Sequence, residues 1–215
     1  MCHCGKILTP LGSNAEAPDD QNHHTILSDE EKAGLRLPLI YKDELDEAEA
    51  ANISRARSWA ILRKTPVPPK RILTEEWIKQ LHVKMYGDIW DWAGKYRQSQ
   101  KNIGVDWWMI PQDMRNLLDD ANSWISNTSQ SRLPPDQIAI QFSHRAVQIH
   151  PFPNGNGRWS RLMADILVMG LGGESFSWGS GSILEDNPLR KRYIDALHDA
   201  DHNFEYGALI QFARS

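Results

Sequence analysis

The hydrophobic positions of this chain recur with a helical period over most of its length. In the clearest run, from Pro134 to Ile149, the apolar side chains fall mainly on one helix face, and a proline stands in the first turn. A second run extends from Trp159 to Met169. The pattern predicts two consecutive helices joined by a tight loop.

The same periodicity predicts helices on both sides of this pair. Their expected ranges are 43–63, 74–86, 111–126 and 187–201. The segment from Tyr96 to Ile110 lacks the helical period, contains a glycine and ends at a proline, which suits an extended or hairpin conformation. We therefore expect a mainly α fold with one small β-hairpin.

The first residues of the chain have a different character. Residues 1–27 are polar and show little periodicity, so we expect them to be disordered or loosely held. The two cysteines, Cys2 and Cys4, lack the four spaced ligands of a structural zinc site. Ser28, followed by three acidic residues, predicts a helix N-terminus. The expected organisation is a helical extension over 28–65 and one main domain over 66–215.

The loop between the two clearest helices contains most of the candidate functional residues. From His150 to Arg161 it reads His-Pro-Phe-Pro-Asn-Gly-Asn-Gly-Arg-Trp-Ser-Arg. Gly155 and Gly157 permit close backbone approach, and the next helix begins with N–H groups that attract anions. Arg158 and Arg161, three residues apart, suit a di- or triphosphate. Each residue alone fits a cap, a turn or a solvated face, but the joint pattern favours an enzyme that handles a nucleotide.

The position of His150 follows from its neighbour. Pro151 disfavours the helical conformation for the residue before it, so the first helix should end at His150. At a helix C-terminus the dipole favours the protonated imidazole. We therefore expect a histidine that titrates at the mouth of the phosphate loop.

These residues closely resemble the signature of the Fic family, His-Pro-Phe-x-(Asp/Glu/Asn)-Gly-Asn-Gly-Arg-x-x-Arg, with every fixed position present. The resemblance extends over roughly residues 40 to 212, and the runs 193–201 and 206–212 look like the closing helices of the fold. It implies a helical bundle and, for most members, transfer of AMP from ATP to a protein hydroxyl. The nearest-looking members include proteins carried on bacterial mobile elements, which by analogy hints at a toxin-like or defence role.

The resemblance implies a role for each motif residue. His150 would be the general base that takes the proton from a target Ser, Thr or Tyr. Asn156 and the backbone around Gly155 and Gly157 would form the anion hole for the transferred phosphate. The two arginines would hold the outer phosphates (Arg158) and the γ-phosphate (Arg161).

Asn154 departs from the commonest form of the signature. Many members have a carboxylate there that holds Mg²⁺ against the phosphates. An amide oxygen can ligate Mg²⁺ but binds more weakly because it carries no charge. We expect ATP as the substrate, with Mg²⁺ as a weakly held cofactor.

Trp92 to Arg97 and the residues that follow look like the family's flap, a β-hairpin beside the active site. By resemblance, the flap docks the target segment as an added strand through backbone hydrogen bonds. The docking residues would be Lys101, Asn102, Ile103 and Gly104. A plain surface hairpin is the alternative.

The acidic stretch from Asp43 to Asn52 resembles the inhibitory helix of a subgroup of Fic proteins, in which a glutamate pairs with the second motif arginine. The match is incomplete, because neither Glu47 nor Glu49 has Ser or Thr four residues before it or Gly or Asn after it. We choose Glu49, with Glu47 as the alternative. A carboxylate beside Arg161 would compete with phosphate for the guanidinium. Acidic residues that merely stabilise a helix N-terminus are the competing interpretation.

The composition and net charge of the chain limit the classes of partner that we expect. The 215 residues carry a net charge of −4, which argues against general nucleic-acid or membrane-surface binding. No run approaches the ~20 apolar residues of a spanning helix, and no signal-peptide segment follows Met1, so we expect a cytoplasmic protein. The expected partners are ATP and a protein target, self-modification included.

Three other functions are compatible with the same residues. The site could remove AMP from a modified protein, or it could transfer another group such as UMP, phosphocholine or phosphate. The chain could instead be a nucleotide-binding regulator or a toxin–antitoxin component without catalysis. A pure binder has no need of a base, so an intact His150 disfavours this last function.

Overall fold

The computed structural model describes residues 27–38, 41–62, 65–126, 133–180, 188–203 and 205–215. The expected loosely held segment 1–27, with both cysteines, lies outside these ranges except for its last residue. Helices in the described ranges are α1 (Asp29–Ala33), α2 (Lys42–Ile61), α3 (Pro69–Ile72), α4 (Glu75–Tyr86), α5 (Ile110–Ser126), α6 (Pro135–Ile149), α7 (Asn156–Gly170), α8 (Pro188–Asn203) and α9 (Gly207–Arg214). The mainly α prediction is confirmed.

Side-chain caps fix two of the helix starts that the sequence predicts. Ser28 accepts a hydrogen bond from the Glu31 N–H, and the Glu31 carboxylate accepts one from the Ser28 N–H, which makes a complete capping box for α1. Thr74 accepts from the Trp77 N–H at the start of α4. These caps satisfy N–H groups that have no partner within the helix.

Packing between helices brings the two clearest helices, α6 and α7, together. The most extensive contact is between α6 and α7, while α2 packs on α4, α5 on α6, and α8 on α9. The predicted apolar face of α6 is buried, and so is that of α7. The centre of the core includes Phe142, Phe152, Trp159 and Met163, all with no exposed surface. The loop between α6 and α7 is therefore anchored at both ends in the core.

The predicted β-hairpin is wrong in its conformation, because residues 91–109 contain turns, bends and one 3₁₀ turn but no strand. A single side chain replaces the expected ladder of backbone hydrogen bonds. The buried Arg97 guanidinium donates to the carbonyls of Ser99 (2.9 Å) and Val105 on the two arms of the segment. It satisfies the oxygens that strand pairing would otherwise use. We keep the name flap for residues 95–106.

None of the helices in the described ranges is long and apolar enough to cross a membrane.

Candidate active site

His150 ends α6 in a left-handed conformation, with φ 55° and ψ 60°. Pro151 excludes the helical conformation there, and the left-handed residue turns the chain back towards α7. Such a backbone costs a non-glycine residue on the order of 1 kcal/mol. Two hydrogen bonds hold it in place: its N–H donates to the Ala146 carbonyl (3.1 Å), and its carbonyl accepts from Arg97 Nε (2.7 Å).

Asn156, the first residue of α7, closes the loop with its buried side chain. Its Oδ1 accepts from the Phe152 N–H at 2.8 Å, and its Nδ2 donates to the Phe152 carbonyl at 2.8 Å. Both ends of the amide are therefore engaged inside the loop. The role of Asn156 in an anion hole stays a prediction.

The N-terminus of α7 is open because Gly155 precedes it. Gly155 has φ 77°, and a Cβ there would run into the Tyr86 ring. Its carbonyl accepts the first bond of the helix, from the Trp159 N–H at 2.9 Å. The N–H groups of Asn156 and Gly157 precede that bond and have no partner within the helix, so they provide donors of the kind that bind phosphate.

His150 is neutral at physiological pH. It is 5 % exposed, and burial lowers its pKa to about 4, with the positive charges of Arg97 and Lys101 acting in the same direction. The expectation that the helix dipole would favour the protonated form is therefore wrong, because desolvation outweighs the dipole at this depth. A neutral imidazole has the lone pair that a general base requires.

The two motif arginines have different surroundings. Arg158 Nη1 lies 2.7 Å from Glu49 Oε2, and its guanidinium stacks 5.3 Å from the centre of the Tyr86 ring. Arg161 lies 5.3 Å from the centre of the Tyr193 ring and forms no ion pair with a described carboxylate. One arginine is thus held by a carboxylate, while the other faces an aromatic ring.

Glu49, the predicted inhibitory residue, contacts Arg158 rather than Arg161. It is 6 % exposed, and its second oxygen accepts a hydrogen bond from Trp90 Nε1 at 2.8 Å. The predicted pairing with Arg161 is wrong, since the register of α2 against α7 brings Glu49 to Arg158. The alternative residue, Glu47, is exposed on α2.

The flap lies directly against the loop. Gly104, with φ 94°, is so close that an added Cβ would meet the Cβ of His150 at 2.5 Å. Backbone bonds join the two segments, from the Arg97 N–H to the Pro151 carbonyl (2.9 Å) and from the Val105 N–H to the Ile149 carbonyl (3.4 Å). A hydroxyl that reaches His150 must therefore pass beside the flap.

The chain is similar to proteins of one known family. A profile of the Fic/DOC family matches residues 72–168. The chain is similar to proteins called protein adenylyltransferase Fic, with 26 % identity over 138 residues for Nematostella vectensis and 30 % over 141 residues for Aedes aegypti. These matches cover 64 % and 65 % of this chain but only 32 % and 27 % of the relatives. This chain thus spans about a third or less of the relatives' length.

A solved structure shows the same fold. The BepC protein of Bartonella tribocorum, a VirB-translocated effector solved with bound AMPPNP, superposes with a TM-score of 0.57 at 15 % identity. The match covers 85 % of this chain and 89 % of that one. Residues 72–168 form a Fic/DOC family domain.

The four predicted flap residues have different surroundings. Lys101 is 4 % exposed and forms an ion pair with Glu31 of α1, so its charge serves the flap itself. Gly104 packs on His150, Ile103 is half-buried and Asn102 is exposed. Target docking by this segment remains a prediction.

The donors of the Fic motif do not suit a resident cation. Asn154 offers an uncharged amide oxygen, and that oxygen already accepts from the Gly155 N–H. Among the described residues, no group of three His, Cys, Asp or Glu side chains could hold a metal ion. Water or phosphate oxygens would have to supply the remaining ligands of a bound Mg²⁺.

Sequence reasoning missed three residues that shape this Fic site: His82, Tyr86 and Arg97. All three are buried, with 0 %, 0 % and 2 % exposure. The only signal for the first two was a polar group on the apolar face of α4. The role of Arg97 depends on contacts with residues about fifty positions away, so local sequence gave no indication of it.

Proposed function

We propose that this chain transfers the AMP moiety of ATP to a hydroxyl side chain of a protein, which includes its own side chains. The observation that carries the proposal is a buried, neutral His150 at the entrance of a glycine loop that opens onto the N-terminus of α7. Two arginines flank that anion-binding end. The names of the relatives support the reaction class.

The chain's own groups suffice for an in-line transfer. The N–H groups at the start of α7 bind phosphate oxygens, and Arg161 binds the γ-phosphate. His150 accepts the proton of the target hydroxyl as its oxygen bonds to the α-phosphorus. The bond from that phosphorus to the bridging oxygen breaks, and pyrophosphate leaves with its new negative charge held by the arginines.

We infer that Glu49 restrains this reaction. Its carboxylate occupies the guanidinium of Arg158, which the outer phosphates of ATP would otherwise bind. The Trp90 indole holds the second oxygen of the same carboxylate, so the restraint is fixed at both oxygens. ATP can bind fully only after Glu49 leaves Arg158.

Mg²⁺ would enter this site together with the phosphates of ATP. Phosphate oxygens and water would supply most of its ligands. Asn154 Oδ1 would join them once the Gly155 N–H releases it. A bound Mg²⁺ would supply positive charge to the phosphates, while His150 accepts the proton.

Transfer of label from α-labelled ATP tests the proposed function. We expect His150→Ala to abolish labelling of protein, because the variant lacks the neutral imidazole that takes the hydroxyl proton. His202→Ala is the matched control: His202 is exposed on α8, and its loss should leave labelling unchanged. Equal labelling by wild type and His150→Ala would exclude this histidine as the base.

A further inference from the structure

His82 lies behind the Fic motif with no exposed surface, and both of its ring nitrogens are engaged. The Gly94 N–H donates to its Nδ1 at 3.0 Å, and its Nε2 lies 3.1 Å from the Asn154 carbonyl. Gly94 belongs to the turn just before the flap, and Asn154 belongs to the motif loop. One side chain of α4 therefore contacts both segments.

These two bonds determine the tautomer. Because Nδ1 accepts a hydrogen bond from a backbone N–H, it carries no proton. Nε2 then carries the single proton and donates it to the Asn154 carbonyl. Burial lowers the pKa of His82 to about 3, so this neutral form persists at physiological pH.

The ring of His82 also supports the anchor of the loop. It stacks on Phe152 with centroids 3.8 Å apart and planes 26° apart. The Asn156 side chain is hydrogen-bonded to the backbone of the same Phe152. The histidine thus touches the loop through a carbonyl and through an aromatic ring.

We propose that His82 is a positioning residue that holds the motif loop and the base of the flap in register. The inference rests on the proposed function, because register matters only if a hydroxyl delivered along the flap must meet a phosphate held by the loop. His82 acts through Gly94, Asn154 and Phe152 and touches neither ATP nor the target. A displacement of about 1 Å in such a site costs on the order of 100-fold in rate.

Two substitutions separate the hydrogen bonds from the stacking. His82→Gln keeps one acceptor and one donor but loses the ring, while His82→Phe keeps a ring against Phe152 but loses both bonds. His144→Phe is the matched control: His144 is another buried histidine, and its Nε2 is hydrogen-bonded to Asp201 of α8, outside the loop. The readouts are kcat for AMP transfer and hydrogen exchange of the amides of residues 94, 152 and 154–157.

We expect His82→Phe to lower kcat on the order of 100-fold and to speed loop exchange, and His82→Gln to stay within about tenfold of wild type. His144→Phe should leave loop exchange unchanged. Equal losses in the two His82 variants, or a loop effect in His144→Phe, would overturn the proposal. If His82→Phe does not fold, the His82→Gln variant decides: a loss of kcat well beyond tenfold in that variant overturns the proposal. Absence of AMP transfer in both wild type and Glu49→Gly would sink the proposed function, while the exchange comparison would still test the positioning.

Discussion

His150 takes its charge state from burial rather than from its place at a helix end. Its backbone is held left-handed by Pro151 and Arg97, and its ring lies under the flap. Two cations nearby add to the cost of protonating it. The same contacts that place the imidazole therefore also keep it neutral.

This charge state leads to a pH prediction. Because the pKa of His150 is depressed to about 4, the neutral form is present above that pH and is lost only as the pH falls through it. We expect kcat/KM for AMP transfer to stay level from about pH 8 to about pH 5.5. A loss of activity centred on the ordinary histidine value of 6.5, measured in the same pH profile, would contradict the assignment.

Gly104 is the second residue on which the geometry depends. An alanine there would bring its Cβ to 2.5 Å from the His150 Cβ and 2.8 Å from Arg97 Nη2, so the flap would have to move away. We expect Gly104→Ala to lower kcat/KM by about 10- to 100-fold. Gly172→Ala is the matched control: Gly172 has nearly the same φ (90°) but nothing within 4 Å of an added Cβ. Similar activity losses in both variants would mean that backbone strain, not the contact with His150, is responsible.

At the scale of elements, α1 and the flap are joined by one carboxylate. Glu31 completes the capping box of α1, accepts from Ser99 Oγ at 2.9 Å and pairs with Lys101. Burial alone would raise the pKa of Glu31, but the hydrogen bonds from Lys101, Ser28 and Ser99 outweigh it and lower the pKa. A short helix at the edge of the fold thus holds the flap in place.

This contact makes α1 part of the flap's stability. Lys101→Met leaves the half-buried Glu31 without its cation, which costs on the order of 1 kcal/mol of unfolding free energy. We also expect faster hydrogen exchange across residues 98–106. Lys32→Met is the control: Lys32 pairs with Asp29 on the same helix, but that pair is exposed and should contribute nothing measurable. If the two variants behave alike in denaturation and exchange, α1 does not hold the flap.

The sequence predicted the features that depend on neighbouring residues. The caps at Ser28 and Thr74 and the helices on both sides of the motif follow local rules, and all are confirmed. The prediction of a β-hairpin failed because the Arg97 side chain donates hydrogen bonds to the flap's own carbonyls. No local sequence pattern indicates this role. The choice of Glu49 followed from an acidic helix. The partner of Glu49 depends on the register in which α2 packs against α7, and the helical period of the sequence does not determine that register.

At the scale of the whole molecule, two ion pairs join α2 to α7. One is the pair of Glu49 with Arg158, and the other is the pair of Arg57 with the buried Asp165 at 2.6 Å. Asp165 also accepts from the Phe176 N–H and from Trp178 Nε1, so this second point ties in the segment after α7. Because the second anchor is independent of the motif, α2 can stay docked while the Glu49 side chain leaves Arg158.

The central claim is that the Fic site transfers AMP and that Glu49 restrains it. The most direct measurement is labelling of protein from α-labelled ATP by wild type, Glu49→Gly and the double variant Glu49→Gly/His150→Ala, with Glu47→Gly as the control on the exposed face of α2. We predict more label in Glu49→Gly than in wild type or Glu47→Gly, and none in the double variant. No gain in Glu49→Gly would contradict the restraint, and label that survives in the double variant would contradict the mechanism.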